Sequence, residues 1–117
     1  MTTVLIADDH AGFRASAQRL LEAEGYDVVG AAADGRGAVE AARRLEPDVV
    51  LLDVQLPDVD GFEVAAQITG GGNGASAVVL TSSRDWGDSA ELIRGSGAKG
   101  FVPKSKLSGE AIAGLLA

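Results

Sequence analysis

Short apolar runs alternate with amphipathic segments along the whole chain. The runs predict five strands: Thr3–Ala7, Asp27–Ala32, Asp48–Leu52, Ala77–Leu80 and Gly100–Val102. Their short length and their β-branched residues favour strands over buried helices. The segments between them repeat apolar residues every three or four positions and predict five helices: Phe13–Ala23, Gly37–Leu45, Phe62–Ile68, Asp88–Arg94 and Glu110–Leu116. This alternation predicts an α/β fold, a parallel five-stranded sheet with helices on both faces.

Helix-stopping residues fall between these elements and are consistent with one domain. Gly25 suits the C-terminal end of the first helix, and Pro47 closes the second helix. The sequence GGGNG at 70–74 is typical of a flexible turn within a domain. The chain has 117 residues, a common length for one domain, so we expect residues 1–117 to form a single unit.

Polar residues follow four of the five predicted strands. They are Asp8 and Asp9 after the first strand, Asp53 after the third, Thr81 and Ser82 after the fourth, and Lys104 close to the end of the fifth. In a sheet of this kind the functional site lies at the carboxyl ends of the strands. We therefore expect these carboxylates, hydroxyls and the ammonium group to meet at one edge of the sheet.

Three carboxylates at one edge require a cation. Two carboxylates about 4 Å apart repel each other by about 4 kcal/mol at an effective dielectric constant of about 20. Lys104 supplies one positive charge, which does not balance three acids. Oxygen ligands suit Mg²⁺ and argue against zinc or copper. A metal ion beside a free carboxylate is suited to phosphoryl transfer, in which the carboxylate attacks in line.

Composition excludes several other classes of protein. The chain has no cysteine, which excludes disulfide scaffolds and cysteine nucleophiles. Its one histidine, His10, argues against a Ser-His-Asp hydrolase. His10 could reach the edge of the sheet where the acids lie, but we favour a loop or capping role. The formal net charge of −7 argues against direct nucleic-acid binding by this domain. With no apolar run long enough to span a membrane and no secretory signal, we expect a cytoplasmic protein without membrane contact.

Four motifs together resemble the receiver domain of two-component response regulators, the CheY-like fold, over essentially the whole chain. They are the acid pair Asp8-Asp9, the run VVLLDVQLPDVDGFEV around Asp53, the segment VVLTS and the segment GFVPK. The sequence DDH at 8–10 and the stretch VVGAAADGRGAVEAARRLEPDVVLLD are most similar to receivers of the NarL/FixJ type. The resemblance implies a doubly wound (βα)5 fold of the flavodoxin type, with strand order 2-1-3-4-5.

The resemblance also implies a chemical role for each polar residue at the strand ends. Asp53 matches the aspartate that accepts a phosphoryl group from a sensor histidine kinase in the presence of Mg²⁺. Asp8, Asp9, Asp53 and the backbone carbonyl of Gln55 match the ligands of that Mg²⁺ ion. Lys104 matches the lysine that contacts the phosphoryl group.

A second set of residues matches the conformational switch of the family. Thr81 matches the switch hydroxyl, although a shift of one residue would place Ser82 there instead. Phe101, three residues before Lys104, matches the switch aromatic. In the family, phosphorylation remodels the face formed by the fourth helix, the fifth strand and the fifth helix. That face then controls an output domain, a downstream protein or a second copy of the chain. The chain is not expected to be an enzyme beyond assisting its own phosphorylation and dephosphorylation.

Other interpretations of the same residues fit the sequence less well or stay open. A haloacid-dehalogenase-type phosphotransferase needs a second aspartate two residues after its nucleophile, where Gln55 stands. A flavodoxin-like binding module needs a phosphate loop after the first strand, where Asp8 and Asp9 stand. The chain could be the N-terminal part of a transcriptional regulator, a stand-alone receiver that acts by protein contacts, or a pseudo-receiver that works without phosphorylation.

Overall fold

A computed structural model describes residues 1–70, 76–84, 86 and 89–117 of the chain. Its strands are β1 (Thr3–Ala7), β2 (Asp27–Ala32), β3 (Val49–Asp53), β4 (Ala77–Ser82) and β5 (Gly100–Pro103). Its helices are α1 (Ala11–Ala23), α2 (Gly35–Leu45), α3 (Gly61–Thr69), α4 (Ala90–Gly95) and α5 (Gly109–Leu116), with a 3₁₀ turn at Lys104–Lys106. The strands pair in parallel in the order β2-β1-β3-β4-β5, which confirms the predicted fold class and topology.

The sheet separates two apolar layers because side chains alternate along each strand. One layer packs β-strand residues against α2, α3 and α4 and includes Leu5, Ala7, Val50, Leu52, Val78 and Leu80. The other packs against α1 and α5 and includes Val4, Ile6, Val49, Leu51, Val79 and Val102. Both layers are fully or almost fully buried. The same alternation decides on which face each polar residue at a strand end lies.

The second helix begins two residues earlier than predicted, at Gly35 instead of Gly37. Two carboxylates stabilise this start. The Asp34 side chain accepts the Gly37 N–H at 2.7 Å, as an N-cap residue does. The Asp58 carboxylate accepts the Gly35 N–H at 2.7 Å and the Arg36 N–H at 3.0 Å. Because Asp58 lies 23 residues away in the sequence, the local pattern does not reveal this contact.

The other boundaries differ by one or a few residues. The first helix begins at Ala11 instead of Phe13, and the fourth strand continues to Ser82, past the predicted end at Leu80. The extra residues of β4 pair with β5, Thr81 with Val102 and Ser82 with Pro103. The predicted start of the fourth helix at Asp88, and most of the predicted turn at 70–74, lie outside the described residues. No helix in the described part of the chain is both long and apolar enough to cross a membrane.

We expect the substitution Asp58→Ala to weaken the start of α2 in a way that depends on pH. The N–H groups of Gly35 and Arg36 hold the pKa of Asp58 below its usual range. A lowered pKa in the folded state contributes stability above about pH 4, and that stability is lost as the pH falls through the folded pKa. Thermal unfolding should therefore give a lower midpoint for the variant at pH 7 and converging midpoints in acid. Glu40→Ala, on the exposed side of the same helix, is the control. A difference in midpoint between Asp58→Ala and the wild-type chain that does not change with pH would contradict the prediction.

Candidate functional site

Three carboxylates lie together at the carboxyl ends of β1 and β3. The Asp8 side chain is fully buried, Asp53 is 3% exposed, and Asp9 lies at the exposed rim. One ligand atom from each of Asp8, Asp9, His10 and Asp53 lies within 4.8 Å of the others. The structure thus brings together the three aspartates that the sequence placed at one edge of the sheet, and it adds an imidazole.

Lys104 links the two buried carboxylates. Its Nζ atom lies 2.7 Å from Asp8 Oδ2 and 3.2 Å from Asp53 Oδ2. The ammonium group also lies over the Phe13 ring of α1, 4.4 Å from the ring centroid. Since only 15% of the Lys104 side chain is exposed, both ion pairs are shielded from water and are stronger than surface pairs.

The pKa shifts reflect this crowding of charge. Burial raises the pKa of Asp53, and the negative charge of Asp8 raises it further, against the opposing effects of the Gln55 N–H and Lys104. Burial alone would lower the pKa of Lys104, but the Asp8 carboxylate 2.7 Å away and the charge of Asp53 raise it above its usual range. One ammonium group therefore compensates two buried carboxylates only in part.

The oxygen atoms of the cluster fit a hard cation. Asp8 Oδ2 is buried and accepts no well-directed hydrogen bond from the described residues, although Lys104 lies close to it. Asp53 Oδ1 accepts the Gln55 N–H at 3.0 Å, so the main chain of Gln55 also lies at the site. Carboxylate oxygens with free lone pairs are the ligands that Mg²⁺ takes in proteins. The residues present are thus chemically suited to a divalent ion.

The main chain around Asp53 is fixed by close contact with Gly61. The Val54 N–H donates to the Thr81 carbonyl at 2.9 Å, and the Gly61 N–H donates to the Val54 carbonyl at 2.8 Å. A Cβ atom on Gly61 would lie 2.6 Å from the Val54 Cα, which is closer than such atoms can approach. Gly61 is therefore required for β3 and the first turn of α3 to meet beside Asp53.

We expect Gly61→Ala to destabilise the fold by about 2 kcal/mol, because the new methyl group overlaps the main chain of β3. Chemical denaturation measures this loss. The matched control is Gly114→Ala in α5, where a Cβ atom meets nothing within 4 Å. That control should stabilise the helix by about 0.5–1 kcal/mol. Equal effects of the two substitutions would show that the contact with β3 is unimportant.

The two candidate switch hydroxyls lie on opposite faces of the sheet. Thr81 is paired in register with Asp53 and follows Val79 in the alternation, so it shares the face of Asp53. Its Oγ1 atom is buried and donates to the Val102 carbonyl at 2.6 Å. Ser82 is also buried, and its Oγ accepts the Arg84 N–H at 3.1 Å. Phe101 is half-buried in the layer against α2, α3 and α4. The choice of Thr81 as the switch hydroxyl remains a prediction.

Arg14 was not identified from the sequence as a residue of the site, and His10 was identified only as the less favoured alternative. The Arg14 guanidinium donates from Nη1 to the Asp8 carbonyl at 2.6 Å and orients the turn after β1. His10 was expected in a loop or capping role. It occupies the N-cap position of α1, but its side chain makes no capping hydrogen bond. Its ring lies against the acids instead. The spacing of four residues from His10 to Arg14, one helical turn, is the signal that could have shown that both face the strand ends.

A doubly wound parallel sheet with buried aspartates and a lysine at its strand ends defines the class of CheY-like proteins. The family described as the response regulator receiver domain matches residues 4–113, and the chain belongs to this family. The chain resembles the transcriptional regulatory protein PdtaR of Mycobacterium tuberculosis, with 37% identity over 101 residues. That alignment covers 86% of this chain and 48% of that protein. The chain spans about half the length of the curated relatives it matches.

Solved receiver structures share the fold over nearly the whole chain. The signal receiver domain of NarL from Mycobacterium tuberculosis superposes with a TM-score of 0.85 at 34% identity, covering 98% of this chain and 93% of that one. A two-component response regulator of the LuxR family from Aurantimonas sp. SI85-9A1 superposes with a TM-score of 0.86 at 31% identity, covering 99% and 86%. The similarity to NarL-type receivers that the sequence predicted is confirmed.

Proposed function

We propose that this receiver domain accepts a phosphoryl group on Asp53 from a sensor histidine kinase. The main support for this proposal is the environment of the Asp53 carboxylate. It is buried at a strand end, bonded by the Gln55 N–H and Lys104, and adjacent to a second buried acid. A carboxylate with a purely structural role gains nothing from a second negative charge beside it. A phosphoryl acceptor does gain from it, because the neighbouring acid is a metal ligand.

The transfer uses the residues in distinct roles. An Asp53 Oδ atom forms the new bond to phosphorus, the bond from phosphorus to the donor nitrogen breaks, and the electron pair returns to the donor imidazole. Lys104 holds its positive charge 3.2 Å from Asp53 Oδ2, where it stabilises negative charge on the transferred group. Asp8, Asp9, Asp53 and the Gln55 carbonyl would hold a Mg²⁺ ion, which when bound neutralises charge on the acids and on the phosphoryl oxygens.

The output begins at Thr81. We propose that its hydroxyl exchanges the bond to the Val102 carbonyl for one to the phosphoryl group, which frees a carbonyl of β5. Phe101 lies next to Val102 and would change its packing in response. The affected face comprises α4, β5 and α5.

We propose that residues 1–117 act in the cytoplasm as one receiver domain, and that this face controls an output domain or a downstream protein. The relative PdtaR, a transcriptional regulatory protein, favours transcription as the output.

The proposal predicts phosphorylation that depends on both Mg²⁺ and Asp53. The purified chain is incubated with acetyl phosphate, with Mg²⁺ or with a chelator, and its intact mass is measured. We expect a gain of one phosphoryl group with Mg²⁺, a much smaller gain with chelator, and none for Asp53→Asn. Folded wild-type protein that binds Mg²⁺ but gains no phosphoryl group from this donor or from a panel of histidine kinases would favour a pseudo-receiver instead.

A further inference from the structure

The ring of His10 adds a nitrogen atom to an otherwise all-oxygen cluster. His10 Nδ1 lies 3.1 Å from Asp9 Oδ1 and 3.2 Å from Asp8 Oδ1. The ring is 70% exposed, so it forms the outer wall of the cluster while Asp8 forms the buried floor. The ligands predicted from the sequence are all oxygen atoms, and the structure places one nitrogen atom beside them.

The backbone directs the ring to this position. The His10 N–H donates to Asp8 Oδ1 at 2.8 Å. This hydrogen bond turns the chain so that the imidazole ring lies beside the same carboxylate. His10 is the N-cap residue of α1 without a side-chain capping bond. The residue types that cap helices with their side chains are Ser, Thr, Asp and Asn. The imidazole thus makes no capping hydrogen bond to α1, and its Nδ1 atom points at two acids.

The spacing of these atoms suits both hydrogen bonds and the ligands of one metal ion. Neighbouring ligands of an octahedral ion with bonds of about 2.1 Å lie about 3.0 Å apart. The two separations from Nδ1 are close to that value. A second observation does not involve the ring. Asp8 is fully buried, and its Oδ2 atom accepts no well-directed hydrogen bond from the described residues and has the Lys104 ammonium 2.7 Å away as its one close charged partner among them. Without a metal ion, Nδ1 is within hydrogen-bond distance of Asp8 Oδ1, and the ring tautomer protonated at Nε2 would present an Nδ1 lone pair to the same small volume as the carboxylate oxygens.

We propose that His10 is a nitrogen ligand of the divalent ion at this site and shifts its preference from Mg²⁺ toward a first-row transition ion such as Mn²⁺. This inference rests on the metal site of the proposed function and specifies the ion it takes. Mg²⁺ binds carboxylates, carbonyls and water, whereas imidazole suits transition ions. A cluster of acids without the ring has no such preference beyond the general order of metal affinities.

The test measures metal preference in the tag-free chain and in two variants. Asn at position 10 offers an oxygen near the place of Nδ1, and Ala offers no ligand. At about pH 8, the affinities for Mn²⁺ and for Mg²⁺ are obtained by calorimetry with each ion and by competition between the two ions. We expect His10→Asn and His10→Ala to bind Mn²⁺ about tenfold more weakly and Mg²⁺ with less than about threefold change. Because His10 is exposed, both variants should fold, which circular dichroism verifies.

Pulsed electron paramagnetic resonance on the Mn²⁺-loaded chain gives a direct readout. The sequence contains one histidine, so coupling of Mn²⁺ to an imidazole nitrogen identifies His10 without ambiguity. The coupling should be absent in His10→Asn. Mn²⁺ that binds the wild-type chain without nitrogen coupling, and with the affinity of the variants, would overturn this inference and leave the proposed function intact. The metal site itself would be overturned if the wild-type chain bound neither ion, or if Asp53→Asn bound both ions as tightly as the wild-type chain.

Discussion

The substitution Asp53→Asn should abolish phosphorylation and, in metal-free buffer, stabilise the fold by about 1 kcal/mol. The asparagine keeps the shape of the side chain and can still accept the Gln55 N–H. It removes one of two buried carboxylates that share the Lys104 ammonium, at the cost of the ion pair at 3.2 Å. Because burial and the charge of Asp8 raise the pKa of Asp53, removal of the repulsion should outweigh loss of the pair.

The stabilisation should depend on pH with a definite sign. A raised pKa means that the folded state binds more protons than the unfolded state just above about pH 4. Wild-type stability therefore falls as the pH rises through that window, and the advantage of Asp53→Asn grows over the same range. Urea denaturation from pH 3 to 7 in the presence of a chelator measures the difference. Asp27→Asn, an exposed aspartate of β2, is the control, and a wild-type chain more stable than Asp53→Asn at pH 7 would contradict the prediction.

Lys104→Met should have the largest effect on stability among the substitutions at the site. Methionine keeps the apolar contact with the Phe13 ring but leaves Asp8 and Asp53 without their shared cation. Loss of one partner of a mostly buried ion pair costs about 2–3 kcal/mol. The pKa of Lys104 is raised in the folded state, so its contribution is complete at neutral pH and is lost only as the pH rises past about 10.4.

Lys106→Met provides a matched control for this substitution, because Lys106 belongs to the same 3₁₀ turn but is exposed. It should change the free energy of unfolding by less than about 0.5 kcal/mol. The double variant Asp53→Asn with Lys104→Met should lose less stability than the sum of the single changes, since each changes the same network. Additive effects would show that Lys104 does not compensate the acids.

The sequence predicts the positions of the buried acids because their placement follows from two local facts. The apolar runs end at Ala7 and Leu52, and parallel strands present their carboxyl ends at one edge of the sheet. Asp8, Asp53 and Lys104 then need only the alternation of side chains to reach the same face. The order of the strands and the chemical roles required the resemblance to a known family, because apolar periodicity does not order strands.

The parts that the sequence does not predict depend on contacts between distant segments or on main-chain direction. The start of α2 depends on Asp58 from the loop after β3. The extension of β4 through Ser82 depends on pairing with β5. The position of the His10 ring depends on a main-chain hydrogen bond to Asp8 at the start of a helix. None of these contacts leaves a periodic signal in the residues involved.

Chemical mapping shows directly whether Asp53 is the phosphoryl acceptor. The chain is treated with acetyl phosphate and Mg²⁺, and the acyl phosphate is reduced with borohydride, which converts the modified aspartate into homoserine. Trypsin then releases the peptide 45–84, which contains Asp48, Asp53, Asp58 and Asp60, and fragmentation of this peptide locates the change. We predict homoserine at position 53 alone, and only in samples that contained Mg²⁺. Homoserine at another aspartate, or the same yield at position 53 without a divalent ion, would show that Asp53 is not the Mg²⁺-dependent acceptor.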